Sequence, residues 1–360
     1  MALRGLFCSV TQQPGHGGIA RVSTAISQVM RNQPEARWDV LVAAPDTEAL
    51  TGLQKVLFAL RVLWRQLDHV DDTLFFDHLG LAMVQRWVPR RFRRRYGIFL
   101  HSVEVWGPLS PNRLRTLREA TLRVANSNYT AKRIAAAHPS IGEIHVCHLT
   151  LGTDREKLAA EKIAHEQSPH SVLGQIRAAS VLIVGRMSRT ERHKGHDELL
   201  RAWPLVLRAV PDAQLVIVGG GDDVERYKKL VADLNIAEHV LFMGRVSDAT
   251  LDVIYSRVAL FAMPSRGEGF GIVYLEAMRH GLACVASTHD AAGEIVVDGE
   301  TGFLVEPSDL SELASKLVEL LLNPALRSEL GKRGHERLQT HFSFMQFQAR
   351  MTELLAQLQG

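Results

Sequence analysis

Only three cysteines occur in 360 residues, Cys8, Cys147 and Cys284, and their spacing suits neither a disulfide framework nor a thiolate metal site. That scarcity fits a reducing compartment. No apolar run approaches the roughly 18 residues of a membrane span, and the opening Met-Ala-Leu-Arg-Gly-Leu-Phe-Cys reads as a short strand rather than a signal peptide. The expectation is a cytoplasmic protein, at most peripheral on the inner face of a membrane. The 16 histidines are scattered without zinc spacing, and the pair Asp71-Asp72 precedes a strand, so no metal site is expected. Internal repeats and low-complexity tracts are missing too.

What is present is an uneven charge. The net +3 divides into 22 Lys and Arg against 14 Asp and Glu in residues 1–165, a net +8, and 20 against 25 in the remainder, a net −5. The basic half should face something anionic. Its densest part, Arg86–Tyr96, interleaves six arginines with three aromatics. The segment Leu53–Leu67 repeats Val56, Leu57, Leu60, Leu63, Trp64 and Leu67 at helical spacing, beside Lys55, Arg61 and Arg65. Together they read as an interfacial surface for anionic lipid headgroups. The plainer alternative is a solvated arginine helix and an ordinary core-facing helix. No recognition motif accompanies the charge, so nucleic acid is not an expected partner.

The length exceeds what one core usually serves, so two domains of about 170 to 180 residues are expected. Short apolar runs alternate with helical patterns, the mark of parallel sheets with crossover helices. The first sheet should use Leu3–Ser9, Trp38–Ala44, Thr73–Phe76, Tyr96–His101, Arg123–Ala125 and Ile144–His148. The second should use Ser180–Val184, Gln214–Val218, Val240–Met243, Leu260–Met263, Ala283–Ala286 and Gly302–Val305. The polar stretch Ala159–Arg177 carries no strand pattern and is the expected linker, and Ser343–Gln359 reads as an amphipathic helix.

The most informative stretch runs from Pro264 to Met278: Pro-Ser-Arg-Gly-Glu-Gly-Phe-Gly-Ile-Val-Tyr-Leu-Glu-Ala-Met. It is a glycine-spaced turn opening a helix. A helix N-terminus presents unpaired N–H groups and partial positive charge, and Gly269 and Gly271 carry no side chain to keep an anion away. Glu268 falls in the loop and Glu276 is expected in the helix's first turn, so both carboxylates can accept from hydroxyls around one anion site. The ligand expected there is phosphorylated and hydroxylated. Upstream, Val184-Gly185-Arg186 ends a strand, and His193-Lys194-Gly195-His196 precedes the helix Asp197–Val210. Arg186 offers a planar fork and Lys194 a mobile point charge, both suited to phosphate oxygens. Leu215–Gly221 is a buried strand meeting a glycine-rich turn, without the Gly-x-Gly-x-x-Gly spacing of an NAD site. No cofactor is expected.

These stretches resemble the donor site of retaining glycosyltransferases of the GT-B fold, family four (glycosyl transferases group 1), of the bacterial polysaccharide and glycolipid type. The likeness covers most of the chain and is strongest from about residue 180 to 305. It implies an α/β fold of two Rossmann-like, doubly wound parallel-sheet domains facing across a cleft. Residues 1–165 would bind the acceptor and 166–342 the nucleotide-sugar donor, with the C-terminal helix 343–360 crossing back. By the same resemblance Glu268 is the sugar ligand, the amides of Gly269, Phe270, Gly271 and Ile272 face sugar and phosphate, and Glu276 holds the ribose. Arg186 and Lys194 neutralise the departing diphosphate, although the intervening residues around Thr190-Glu191-Arg192 make their spacing longer than the family's usual one. Gly219 lies beside the nucleotide, and main-chain groups near Arg245 and Val246 meet the base. In the first domain, Gly17 and Gly18, within Pro14–Arg21, bring amides close to a phosphate or sugar, unless they serve only a tight strand-to-helix turn. His101, ending a strand, stands near the donor sugar. Asn126-Ser127 and Gly152-Thr153-Asp154 match other strand-end loops, with Asp154 a turn residue.

The activity so implied is metal-independent, retaining transfer of a hexose from GDP-mannose or a UDP-hexose to a lipid-linked or saccharide acceptor, in cell-envelope or exopolysaccharide synthesis. Such chemistry needs a stabilised departing diphosphate and an oxocarbenium-like sugar, work for fixed cations and oriented dipoles. The rivals are a glycoside hydrolase with paired carboxylates, an epimerase or phosphorylase of the same architecture, and a non-catalytic nucleotide-sugar-binding subunit.

Overall fold

The computed structural model of the chain describes residues 3–12, 17–33, 36–44, 51–153 and 173–358. Among the described residues, twelve short strands form two six-stranded sheets. The first contains β1 (Leu3–Ser9), β2 (Ala36–Val42), β3 (Thr73–Phe76), β4 (Arg95–Leu100), β5 (Leu122–Ala125) and β6 (His145–Val146), in the order β2-β1-β3-β4-β5-β6. The second contains β7 (Ser180–Val184), β8 (Gln214–Val218), β9 (Val240–Gly244), β10 (Leu260–Ala262), β11 (Cys284–Ser287) and β12 (Gly302–Val305), in the order β12-β11-β10-β7-β8-β9. All neighbouring strands run parallel. A parallel sheet carries helices on both faces, so its strands must be apolar throughout. β3 and β8 accordingly read Thr-Leu-Phe-Phe and Gln-Leu-Val-Ile-Val and are buried along their whole length.

Two strands differ from expectation by more than one residue at an end. β2 begins two residues early, at Ala36, because its register on β1 pairs Ala36 with Leu3 and Trp38 with Gly5. Gly5 is a glycine for that reason, since a Cβ there would meet the Trp38 ring at 2.4 Å. β6 shrinks to His145–Val146, paired only with Val124 and Ala125.

The chain divides into two compact units, Met1–Lys157 with Phe342–Gly360, and Leu158–His341. In the first, Leu6, Cys8, Leu74, Phe76, Ile98 and Leu100 line one core beneath the helix Gly52–Leu67. The helix Phe344–Ala356 packs on the helix Gly17–Arg31, tied by Asn32 Nδ2 to Gln348 Oε1 at 3.0 Å. In the second, Trp203, Tyr227, Tyr255 and Phe261 are fully buried. The expected limit at 165/166, most of the linker Ala159–Arg177 and Asp154 lie outside the described residues. Among those described, no helix is long and apolar enough to cross a membrane.

Candidate functional site

In the second unit, the loops leaving the C-terminal ends of β7, β8, β9 and β10 carry the expected donor-site residues, where parallel sheets place their ligands. Lys194 and Glu268, distant in sequence, meet there: Lys194 Nζ donates to Glu268 Oε2 at 3.0 Å, both side chains half-buried. The Glu268 charge raises the Lys194 ammonium above its ordinary value, so the lysine stays cationic. Their two loops are stitched by Arg266 N–H to the His193 carbonyl at 2.7 Å and by Arg266 Nε to Glu198 Oε1 at 2.8 Å. Gly195, at φ +87°, lets them touch, because a Cβ there would stand 2.9 Å from the Pro264 carbonyl.

The helix that follows, Ile272–Arg279, starts at Gly271, whose φ of +92° favours glycine. The Tyr274 amide donates back to the Gly271 carbonyl at 3.0 Å, which leaves the two amides before it without an intrahelical acceptor. Phe270 turns its ring into the core, so only its main-chain groups could meet a ligand, while the Ile272 side chain is half-buried. Glu276 is not in the first turn as expected. It is the fifth residue, one turn further in, because the helix begins at Ile272. It is 1 % exposed, and Oε2 accepts from Tyr255 Oη at 3.1 Å.

Arg186 follows β7 with its side chain 64 % exposed, its Nη2 donating to Glu191 Oε1 at 2.6 Å. The lengthened segment after it, Arg189–Lys194, coils in 3-10 turns with a non-helical kink at Glu191. Arg192 anchors that coil by gripping Asp223 with Nε and Nη2 at 2.7 and 2.8 Å. Arg226 adds Asp223 at 2.7 Å and clasps Asp197 at 2.7 and 2.6 Å. Under the Arg192 fork the Asp223 carboxyl is pushed down to about 2, so this brace keeps its charge through the physiological range.

The glycine-rich turn after β8 has a packing reason. A Cβ on Gly219 would stand 1.9 Å from the Gly185 carbonyl oxygen, and the Gly219 N–H already donates to Gly244 O at 2.8 Å. Gly219 therefore shapes the turn, and its amide is taken. Arg245 is exposed and lies over Gly220, with Val246 half-buried beside it.

In the first unit, Gly17 and Gly18 open the helix Gly17–Arg31 rather than forming a loop; residues 13–16 lie outside the described set. No neighbour comes within 4 Å of a Cβ on Gly18. His101 follows β4, nearly buried, with Nε2 2.7 Å from the Asp77 carbonyl. A carbonyl accepts only, so Nε2 carries the proton, and burial lowers the ring's basicity. The imidazole is thus neutral, with Nδ1 as its acceptor. Asn126 and Ser127 are buried, and Ser127 Oγ caps the helix Asn128–Ala137 by accepting from Thr130 N at 2.9 Å.

Three neighbours escaped the sequence reading. His78, just past β3, places Nε2 2.6 Å from Glu104 Oε2, and its ring faces that of His101 at 6.3 Å between centroids. Asp77 accepts from Val10 N at 2.9 Å and from Ser23 Oγ at 2.5 Å. Asp290, past β11, accepts from Glu268 N at 3.1 Å. Their one sequence signal is position, a polar residue within three residues of a strand end. Among the described residues no three His, Cys, Asp or Glu side chains converge as a metal-ligand set.

The basic stretch is narrower than expected. Arg86 and Arg93 both bind Glu119 at 2.9 Å, Arg94 meets His69, and Tyr96 is buried with its hydroxyl on Thr116 O at 2.6 Å. Trp87, Arg90, Arg91 and Arg95 are exposed. The helix Gly52–Leu67 buries Phe58, Ala59 and Val62 while leaving Leu53, Val56, Leu57, Leu60, Trp64 and Leu67 in solvent, Leu60 at 55 % and Trp64 at 60 % exposure. It is therefore apolar on two opposite faces and packs only one.

Residues 178–337 match the family described as "Glycosyl transferases group 1". A relative from Mycolicibacterium smegmatis, a "GDP-mannose-dependent alpha-(1-6)-phosphatidylinositol monomannoside mannosyltransferase", is 31 % identical over 301 residues, 80 % of this chain and 77 % of its own. A Corynebacterium glutamicum protein, the corresponding monoacylated-substrate mannosyltransferase, is 32 % identical over 79 % of this chain and 76 % of its own. Among solved structures, Anabaena HepE in complex with UDP-glucose superposes with a TM-score of 0.78 at 21 % identity, covering 98 % of this chain and 99 % of that one, a likeness of fold.

Proposed function

The chain belongs to the glycosyl transferases group 1 family, and from that premise we infer that it is a retaining, metal-independent hexosyltransferase, with GDP-mannose as donor and a glycolipid as acceptor. The observation that carries the reading is the Lys194–Glu268 pair standing before the helix Ile272–Arg279, with Arg186 on the neighbouring strand end. Cation, carboxylate and helix N-terminus together suit a diphosphate joined to a polyol. GDP-mannose is preferred to a UDP-hexose because both mannosyltransferase relatives carry GDP-mannose in their names.

In this reading Glu268 accepts from sugar hydroxyls. Lys194 and Arg186 hold the diphosphate as the bond from its oxygen to the anomeric carbon breaks. The acceptor hydroxyl attacks on the same face, and its proton passes to a phosphate oxygen of the leaving group. Fixed positive charge answers the developing negative charge, so chelator should leave the rate unchanged. An anionic lipid surface is the proposed setting, met by the outward face of the helix Gly52–Leu67 together with Trp87, Arg90 and Arg91.

The direct test offers GDP-mannose and UDP-glucose in parallel with phosphatidylinositol mannosides and reads the product's anomeric configuration by NMR. Mannosyl transfer giving the α-anomer, unaffected by EDTA, is expected. A β-product would reject retention, and loss of transfer on chelation would reject metal independence. No transfer from either donor would reject the activity.

The roles of the two glutamates separate by calorimetry. Glu276→Gln should weaken the bare nucleoside diphosphate and the donor alike, since Glu276 is assigned to the ribose. Glu268→Gln should spare the bare nucleotide. Equal losses in both variants would reject the division.

A further inference from the structure

The loop Pro264–Gly271 has no regular secondary structure, so cross-links to its surroundings fix its shape. At the main chain of Glu268 these come from one segment. The Glu268 N–H donates to Asp290 Oδ2 at 3.1 Å, and the Glu268 carbonyl accepts from Ala291 N–H at 3.2 Å. Asp290 also receives the Ser265 hydroxyl on Oδ2 and the Ala292 N–H on Oδ1, the latter at 2.9 Å. The carboxylate thus collects three donors, two of them from the candidate donor loop.

Asp290 is buried, and burial pushes its carboxyl up to about 6. A buried charge is costly unless fully hydrogen-bonded. Two of its partners are amides that can only donate, so the site needs an acceptor on both oxygens. An asparagine would turn an NH2 towards one of those donors. The charge holds in place the main chain of Glu268 as well as the Ala292 amide of its own segment.

We propose that Asp290 is a positioning residue that fixes the Glu268 main chain, and through it the direction of the Glu268 carboxylate towards Lys194 and the donor sugar. This rests on the reading of Glu268 as the sugar ligand. Displacement of a catalytic group by about 1 Å can cost about a hundredfold, so Asp290→Asn should lower kcat/KM for the sugar donor by roughly tenfold to a hundredfold. A residue acting only through Glu268 has a distinctive signature. The dissociation constant of the bare nucleoside diphosphate should stay within about twofold of wild type. Asp290→Asn on top of Glu268→Gln should cost less than about threefold more than Glu268→Gln alone, because two changes on one path are not additive.

The experiment measures transfer from GDP-mannose, calorimetry with GDP, and thermal midpoint for wild type, Asp290→Asn, Glu268→Gln and the double variant. Ser265→Ala, which removes one donor from the same carboxylate and little else, provides a folded variant if Asp290→Asn does not fold, and should show the same signature at smaller amplitude. Normal transfer in both Asp290→Asn and Ser265→Ala, beside an impaired Glu268→Gln, would overturn the inference and leave the function standing. So would additive losses, or a loss of GDP binding equal to the loss of donor use. A Glu268→Gln variant of normal activity would instead overturn the reading on which the inference depends.

Discussion

Lys194→Ala and Glu268→Ala should each lower kcat/KM for transfer by at least roughly a hundredfold, about 2.7 kcal/mol of transition-state stabilisation. The pair is half-buried at 3.0 Å, where a fixed charge acts more strongly than it would in water. The two variants should differ in a second measurement. Removing Lys194 takes a cation from the diphosphate, so GDP itself should bind more weakly. Removing Glu268 takes away the lysine's internal partner and leaves its full charge for the phosphates, so GDP should bind as well as before or better while the sugar is no longer held. Calorimetry with GDP and with GDP-mannose separates these cases. Either variant, folded and with near-normal turnover at saturating donor, would remove that residue from the mechanism.

How far this site was legible depended on the kind of signal each residue sends. The strands were plain, because a sheet buried on both faces requires apolar runs such as Leu215–Val218, too short for a helix and bounded by turn residues. The glycine-spaced turn before Ile272 and the cations Arg186 and Lys194 were visible as types of residue at strand ends. The meeting of Lys194 with Glu268 was not, since no local pattern encodes a contact between loops so far apart in the chain. Glu276 was misplaced by one turn because the helix start depends on the φ of Gly271, which periodicity does not report. His78, Asp77 and Asp290 are single polar residues in short loops, and what distinguishes them, burial beside main-chain donors, exists only in three dimensions. In the helix Gly52–Leu67 the apolar spacing was evident while the choice of face was not: Phe58 and Val62 pack inward, and Leu60 and Trp64 repeat the same period on the outside.

That unpacked face makes the largest expected change in a binding measurement. Leu60→Glu with Trp64→Glu should abolish association with vesicles containing phosphatidylinositol or phosphatidylglycerol, while the thermal midpoint and solution activity on a short-chain acceptor persist. Each large apolar side chain moved from water into an apolar layer contributes about 1.5 to 3 kcal/mol, so loss of the two exposed side chains costs roughly 3 kcal/mol or more, a factor above about a hundred in partitioning. The charges contribute separately. Arg90 and Arg91 are exposed beside Trp87, itself 69 % exposed, and each arginine near an anionic leaflet adds about 1 kcal/mol, screened over about 8 Å at physiological salt. Arg90→Glu with Arg91→Glu should therefore weaken binding most at low salt and least at high salt, whereas the Leu60 and Trp64 changes should act at both. Neutral phosphatidylcholine vesicles should retain only the apolar part. A wild-type protein that ignores anionic vesicles at low salt would reject the lipid surface as this face's partner. So would a Leu60→Glu/Trp64→Glu variant that binds them normally, and a wild-type dimer made monomeric by that variant would point to a second copy of the chain as the occupant.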